Sequence, residues 1–172
     1  NISITSETIE KYLSYLESAF ILNKAQKYDI KGKKYINAYQ KYYFEDLGLR
    51  NVRLNFRQNE KTHLMENLIY NELISRGYSV DVGMVEKNER NNEGKQVKKQ
   101  LEVDFVCNKA DKKYYIQSAY SIEDLDKYEQ EEKSLLNIKD NFKKIIISYD
   151  ALMTYRNQNG TLIIKLRDFL LD

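Results

Sequence analysis

The stretch Leu101-Glu102-Val103-Asp104-Phe105-Val106-Cys107 decides how this chain reads. It is mostly apolar, bounded by polar sequence and of strand length, yet it carries two carboxylates. Because side chains alternate along a strand, Glu102 and Asp104 are expected on one face and Val103 and Phe105 on the other. A carboxylate among apolar neighbours is costly to bury unless something polar meets it. The stretch therefore predicts both a core strand and a polar cluster beside it. Cys107, inside the run, is expected as a small buried hydrophobe rather than a reactive thiol.

Working outward, residues 78–85 form a preceding strand and residues 113–121 a following one, with the polar stretch 86–100 expected to be mobile in part or to extend the two strands it joins. Helical spacing marks residues 60–76, closed by Gly77, and Glu72 falls within the apolar stripe set by Leu68, Ile69 and Leu73. Beyond the third strand come a helix over 123–138, a strand over 144–149, a last strand over 160–165 and a short terminal helix. The Ile145-Ile146-Ile147 run suits a strand covered on both faces, as in a central parallel pair. Towards the start, Ile9, Tyr12, Leu13, Leu16 and Phe20 recur at helical spacing, with Thr5 or Ser6 as N-cap. A β-hairpin then turns at Ile30-Lys31-Gly32-Lys33, and residues 45–60 read as a connector.

Composition narrows the class. The 172 residues are 42% hydrophobic and 31% charged, without a run approaching the roughly 18 apolar residues of a membrane span. One cysteine cannot form an internal disulfide, which gives a cytoplasmic expectation. The lone histidine, His63, excludes a His-rich zinc centre and reads as a polar helix position. The chain opens without Met and is expected to be a piece of a longer protein. Fifteen tyrosines with no tryptophan or proline accompany abundant Lys, Asn and Ile, as an AT-rich genome imposes. Base stacking by these tyrosines accordingly receives little weight.

Net charge is only +2, so its distribution carries any argument about nucleic acid. Between Phe20 and Phe44 six lysines, at 24, 27, 31, 33, 34 and 41, face one acid, Asp29. Lys31, Lys33 and Lys34 at the turn are the candidate phosphate contacts, against the plainer reading of a solubilising hairpin. Residues 123–133 carry six acids and two lysines and are expected to face solvent or a partner.

The N-terminal helix and hairpin resemble the last helix and wing of a winged-helix module. The order of helix, strand, carboxylate-bearing strand, polar third strand and helix resembles the PD-(D/E)xK, restriction-endonuclease-like superfamily. A closer resemblance is to the uncharacterised domain that follows the ATPase module in prokaryotic AAA-type ATPases. Its phrases stand here as Ser-Glu-Thr-Ile-Glu-Lys-Tyr-Leu at 6–13, Lys-Tyr-Tyr-Phe-Glu-Asp-Leu-Gly-Leu-Arg at 41–50, Glu-Asn-Leu-Ile-Tyr-Asn-Glu-Leu at 66–73, Glu-Val-Asp-Phe-Val at 102–106 and Tyr-Tyr-Ile-Gln at 114–117. The fold expectation is thus α/β: a restriction-endonuclease-like mixed sheet flanked by helices over 51–172, behind a partial winged-helix module over 1–50.

The resemblance implies site residues. Glu66 and Asp104 match the superfamily's metal-binding acids, Gln117 replaces the third-strand acid, and Ala119 stands where the water-activating lysine is expected. A neutral amide is a poorer ligand than a carboxylate and alanine moves no proton, so the site is read as vestigial, with a weak Mg²⁺ site on Glu66 and Asp104 at most. A polar network fixing the core, which Glu72 could join, or a solvated face are the competing readings. ATP belongs to the upstream ATPase module, since no Gly-x-x-x-x-Gly-Lys-[Ser/Thr] occurs here. The expected function is an accessory domain that binds duplex DNA without cutting it. Its implied partner is that ATPase module, through which it could join an oligomer, and no membrane is involved. The alternatives are an active metal-dependent nuclease whose lysine is relocated to Lys113, Lys127 or Lys133, and a protein-interaction domain docking on the ATPase module.

Overall fold

The computed structural model describes residues 4–58, 60–90 and 94–171, apart from the side chains of Ala38, Tyr39 and Lys127. In chain order the elements are α1 (Ser6–Ser18), β1 (Leu22–Asp29), β2 (Lys34–Phe44), α2 (Leu47–Arg53), α3 (Lys61–Ser75), β3 (Ser79–Arg90) and β4 (Gln96–Lys109). They continue as β5 (Lys112–Ala119), α4 (Leu125–Leu136), β6 (Lys143–Ser148), β7 (Tyr155–Arg156), β8 (Leu162–Lys165) and α5 (Leu166–Leu171). Among the described residues the strands form one eight-stranded mixed sheet in the order β2-β1-β3-β4-β5-β6-β8-β7. No helix among them is long and apolar enough to cross a membrane.

The expected order of helix, three strands, helix and strand is present as α3, β3, β4, β5, α4 and β6. The strands carrying Asp104 and Gln117, β4 and β5, are antiparallel neighbours. The Ile145-Ile146-Ile147 strand, β6, lies between β5 and β8 and is parallel to both. Ile146 and Ile147 are fully buried, each on a different face, as that run implied. α3 is followed by Gly77 at φ +79°, the left-handed turn that a side chain would strain. Thr5 caps α1 by accepting from the Thr8 N–H.

Three segments depart from or sharpen the expectations. The connector over 45–60 holds a short helix, α2, capped by Asp46. The polar stretch after residue 85 extends β3 and β4, whose pairing continues outward to Arg90 and Gln96. The N-terminal hairpin does not stand apart: Lys27–Asp29 of β1 pair in parallel with Val82–Met84 of β3. Segments 1–50 and 51–172 therefore share one sheet. The apolar stripe of α1 remains largely uncovered, with Ile9, Tyr12 and Leu16 exposed.

One irregularity places the site. Asp81 pairs with Val106 and Gly83 with Val103, so two residues of β4, Asp104 and Phe105, lie opposite the single residue Val82. This is a β-bulge, and it inverts the alternation downstream. Val103 packs in the core beneath α4, while Phe105 packs in the core beneath α3. The expectation that Val103 and Phe105 share a face is thereby corrected. Gly83 is required at the bulge, since a Cβ there would meet Ile30 Cδ1 and Val106 Cγ2 at 2.8 Å. The two cores each bury large side chains worth about 1.5–3 kcal/mol apiece, led by Ile69 and Phe105 on one face and Leu135 and Tyr115 on the other.

Candidate functional site

The bulge ends the β4–β5 ladder at Phe105 and Ile116. Beyond it, side chains continue the stitching. The Asp104 N–H donates to Gln117 Oε1 at 3.2 Å, and the Ser118 N–H donates to Asp104 Oδ2 at 2.9 Å. Gln117 uses its other end to donate to Glu131 of α4 at 2.5 Å, and the Ser134 hydroxyl also donates to Gln117 Oε1. An amide suits this position because it accepts from a backbone N–H and donates to a carboxylate at once.

From the opposite face α3 brings Glu66. Its Oε1 accepts from Tyr43 Oη at 2.7 Å and from Lys41 Nζ at 2.9 Å. Lys41 and Tyr43 stand two residues apart on β2 and so share a face. α3 fixes that strand end: Asn67 accepts from the Phe44 N–H and donates to the Phe44 carbonyl, both at 2.8 Å. Tyr43 also stacks on Tyr70, with centroids 4.0 Å apart.

Lys41 is the centre of the cluster. Besides Glu66, its ammonium lies 2.7 Å from Glu102 Oε1 and 3.8 Å from Asp104 Oδ1. Lys27 of β1 reaches the other oxygen of Glu102 at 3.2 Å. Glu66, Asp104 and Gln117 are thus brought to one place, joined by Lys41, Glu102 and Glu131. Glu66 and Asp104 are well covered, their side chains 17% and 12% exposed. An open groove of about 1400 Å³ runs along α4 past Glu102, Gln117 and Glu131, but neither Glu66 nor Asp104 lines it.

The electrostatics follow from this packing. Burial, and then the charge of Glu66, push the Asp104 carboxyl well above the ordinary carboxylate range. Burial also raises Glu131, against the opposing bond from Gln117. For Lys41, burial acts to lower the pKa, but Glu66, Asp104 and Glu102 outweigh it and hold the ammonium protonated above its usual range. Burial would raise Glu102, yet its bonds to Lys41 and Lys27 carry it below the ordinary value.

These residues do not fit a divalent cation as they stand. Such an ion needs carboxylate oxygens at about 2.0–2.6 Å, whereas here an ammonium holds them and Asp104 is biased to its protonated form. Among the described residues no group of three or more His, Cys, Asp or Glu is arranged to hold a metal ion.

Other expectations fare differently. The lysine position beside Gln117, Ala119, points into the core beneath α4 and is 3% exposed. Two of the three proposed substitute lysines are placed elsewhere. Lys113 lies over the rings of Tyr28, Tyr115 and Phe142, Lys133 pairs with Glu89, and the Lys127 side chain lies outside the described residues. Glu72 does not join the network but pairs with Arg76 at 2.7 Å. The acid-rich helix is not wholly turned outward, since Glu132 is buried and accepts from Asn157 and Asn159. Cys107 is buried and its thiol pKa is raised by that burial. His63 is exposed beside Glu60.

The hairpin turn keeps Lys31, Lys33 and Lys34 exposed. Asp29 is engaged within the turn, where Oδ1 accepts from the Lys31 and Gly32 N–H groups. Two of the six hairpin lysines, Lys27 and Lys41, are committed to the carboxylate cluster. Sequence reasoning counted Lys41 as part of a phosphate-binding wing. The available signal was its two-residue spacing from Tyr43.

Residues 1–60 match a domain of unknown function, DUF8612. The chain is also similar to an uncharacterized protein of Haemophilus influenzae, 39% identical over 144 residues. That match covers 84% of this chain and 32% of the relative, so the chain spans about a third of the relative's length.

Proposed function

We propose that this chain is an accessory, restriction-endonuclease-like segment of a prokaryotic AAA-type ATPase, preceded by part of a winged helix, which binds duplex DNA and does not hydrolyse it. The DNA-binding part is carried by one observation: the exposed turn holds Lys31, Lys33 and Lys34 together, while its acid, Asp29, is engaged by backbone N–H groups. Three ammonium groups at the tip of a strand pair suit backbone phosphates, which are contacted by charge and without sequence selection. The absence of hydrolysis is supported by the spending of Asp104 and Gln117 on the strands around them and by the protonation favoured at Asp104. ATP binding lies with the upstream ATPase module, the partner in this reading.

The test is a salt titration of duplex DNA binding. The triple variant Lys31→Ala, Lys33→Ala, Lys34→Ala is expected to bind more weakly, with the slope of log affinity against log salt smaller by about 0.9 for each phosphate that is no longer neutralised. An unchanged affinity and slope would remove the turn from consideration. For the absence of cleavage, Mg²⁺- or Mn²⁺-dependent nicking that disappears in Asp104→Ala would establish the nuclease alternative instead.

A further inference from the structure

We infer that the Lys41 ammonium is the resident cation of the carboxylate cluster, occupying the place that the nuclease-like arrangement would give to a divalent metal, and that it locks the N-terminal hairpin to the core. The inference rests on the nuclease-like reading of the core, but it does not require DNA binding.

Its basis is that one charge meets groups from two elements besides its own. Lys41 comes from edge strand β2, Glu66 from α3, and Glu102 and Asp104 from the bulged end of β4. The bulge brings β4 carboxylates towards a helix residue on the other side, and Lys41 closes the space between them. The hydroxyl of Tyr43 completes the shell on Glu66 at 2.7 Å. An ammonium among carboxylates leaves a lower residual negative charge than the metal ligands of a hydrolytic site need. The expected lysine position is unusable, because Ala119 is sealed under α4. Lys41 therefore enters from the hairpin side, and together with Lys27 it ties residues of the first 50 to Glu102 of β4. Asn67 holds the same strand end through both backbone groups of Phe44, so the lysine is presented from a fixed backbone.

The experiment measures Mn²⁺ and Mg²⁺ binding to the full 172-residue chain by calorimetry and thermal melting, with ionic strength matched by NaCl. Wild type is expected to show no saturable metal binding and no rise in Tm beyond the NaCl control. Lys41→Met is expected to melt lower and to regain stability with Mn²⁺, which binds at least about tenfold more tightly than to wild type, since a unit positive charge within about 4 Å has gone. Lys41→Arg, which keeps the charge, should behave as wild type towards metal.

Saturable Mn²⁺ binding to wild type, or a folded Lys41→Met chain indifferent to Mn²⁺, would overturn the inference. If Lys41→Met does not fold alone, refolding with Mn²⁺ decides: recovery supports the inference and failure rejects it. The DNA titration is scored separately. A chain that binds no DNA but follows these metal outcomes ends the nucleic-acid proposal alone, whereas metal binding by wild type ends this inference alone.

Discussion

Asp104 and Gln117 hold their two strands together by exchanging side chains for ladder bonds: the Asp104 N–H donates to the Gln117 side chain, and the Asp104 carboxyl accepts from the Ser118 N–H. The residues that occupy metal-binding positions by resemblance thus repair the gap that the bulge opens between β4 and β5. Backbone groups at such a gap would otherwise be buried without partners, which costs about 1–3 kcal/mol each.

Gln117→Glu should therefore destabilise the fold rather than restore a metal ligand. The new carboxylate loses the amide donor to Glu131 and faces Glu131 and Asp104. The expected loss is about 1–3 kcal/mol at neutral pH, measured by urea unfolding. Like-charge crowding raises the pKa of the introduced acid, so the deficit should shrink as pH falls and the acid protonates. A variant as stable as wild type at neutral pH would refute the stitching role.

Asp104→Asn should change how stability depends on pH. The folded chain retains a proton on Asp104 that the unfolded chain releases at the ordinary carboxylate value, because burial and Glu66 raise the folded pKa. The stability linked to that proton is complete below the ordinary value and is lost as pH rises through the raised one. Asparagine keeps an acceptor oxygen for the Ser118 N–H and has no proton to lose. Wild type should thus lose stability relative to Asp104→Asn on going from acidic to mildly alkaline conditions. The difference between the two unfolding curves reports residue 104 together with the neighbours its charge acts on, Glu66 and Lys41. Parallel curves across that range would show that Asp104 is not held protonated.

Ala119→Lys, the change that writes the missing lysine back into the third strand, should fail to repair the site. The side chain would enter the apolar core with Leu135 and Ile138 instead of reaching Glu66. Overpacking and a buried unpaired ammonium together should cost about 3 kcal/mol or more. Thermal melting reads the loss, and a variant with undiminished Tm would contradict the packing of β5 against α4.

Much of this protein was legible in its residues. The run of three isoleucines implied a strand covered on both sides, and β6 is parallel to both its neighbours. Carboxylates in an apolar strand implied polar partners, and the Ser118 N–H and the Lys41 ammonium are such partners. These inferences succeed because burial, alternation and helical spacing act locally, within a few residues of chain. The tertiary structure alone decided which lysine meets the acids, since Lys41 and Glu102 are 61 positions apart and come together only because β1 docks in parallel on β3. It also decided that Val103 and Phe105 part company, because a bulge depends on how a strand registers with its neighbour and not on its own sequence. The chemistry of the cluster, a lysine among carboxylates and an aspartate biased towards its neutral form, follows from those two long-range events.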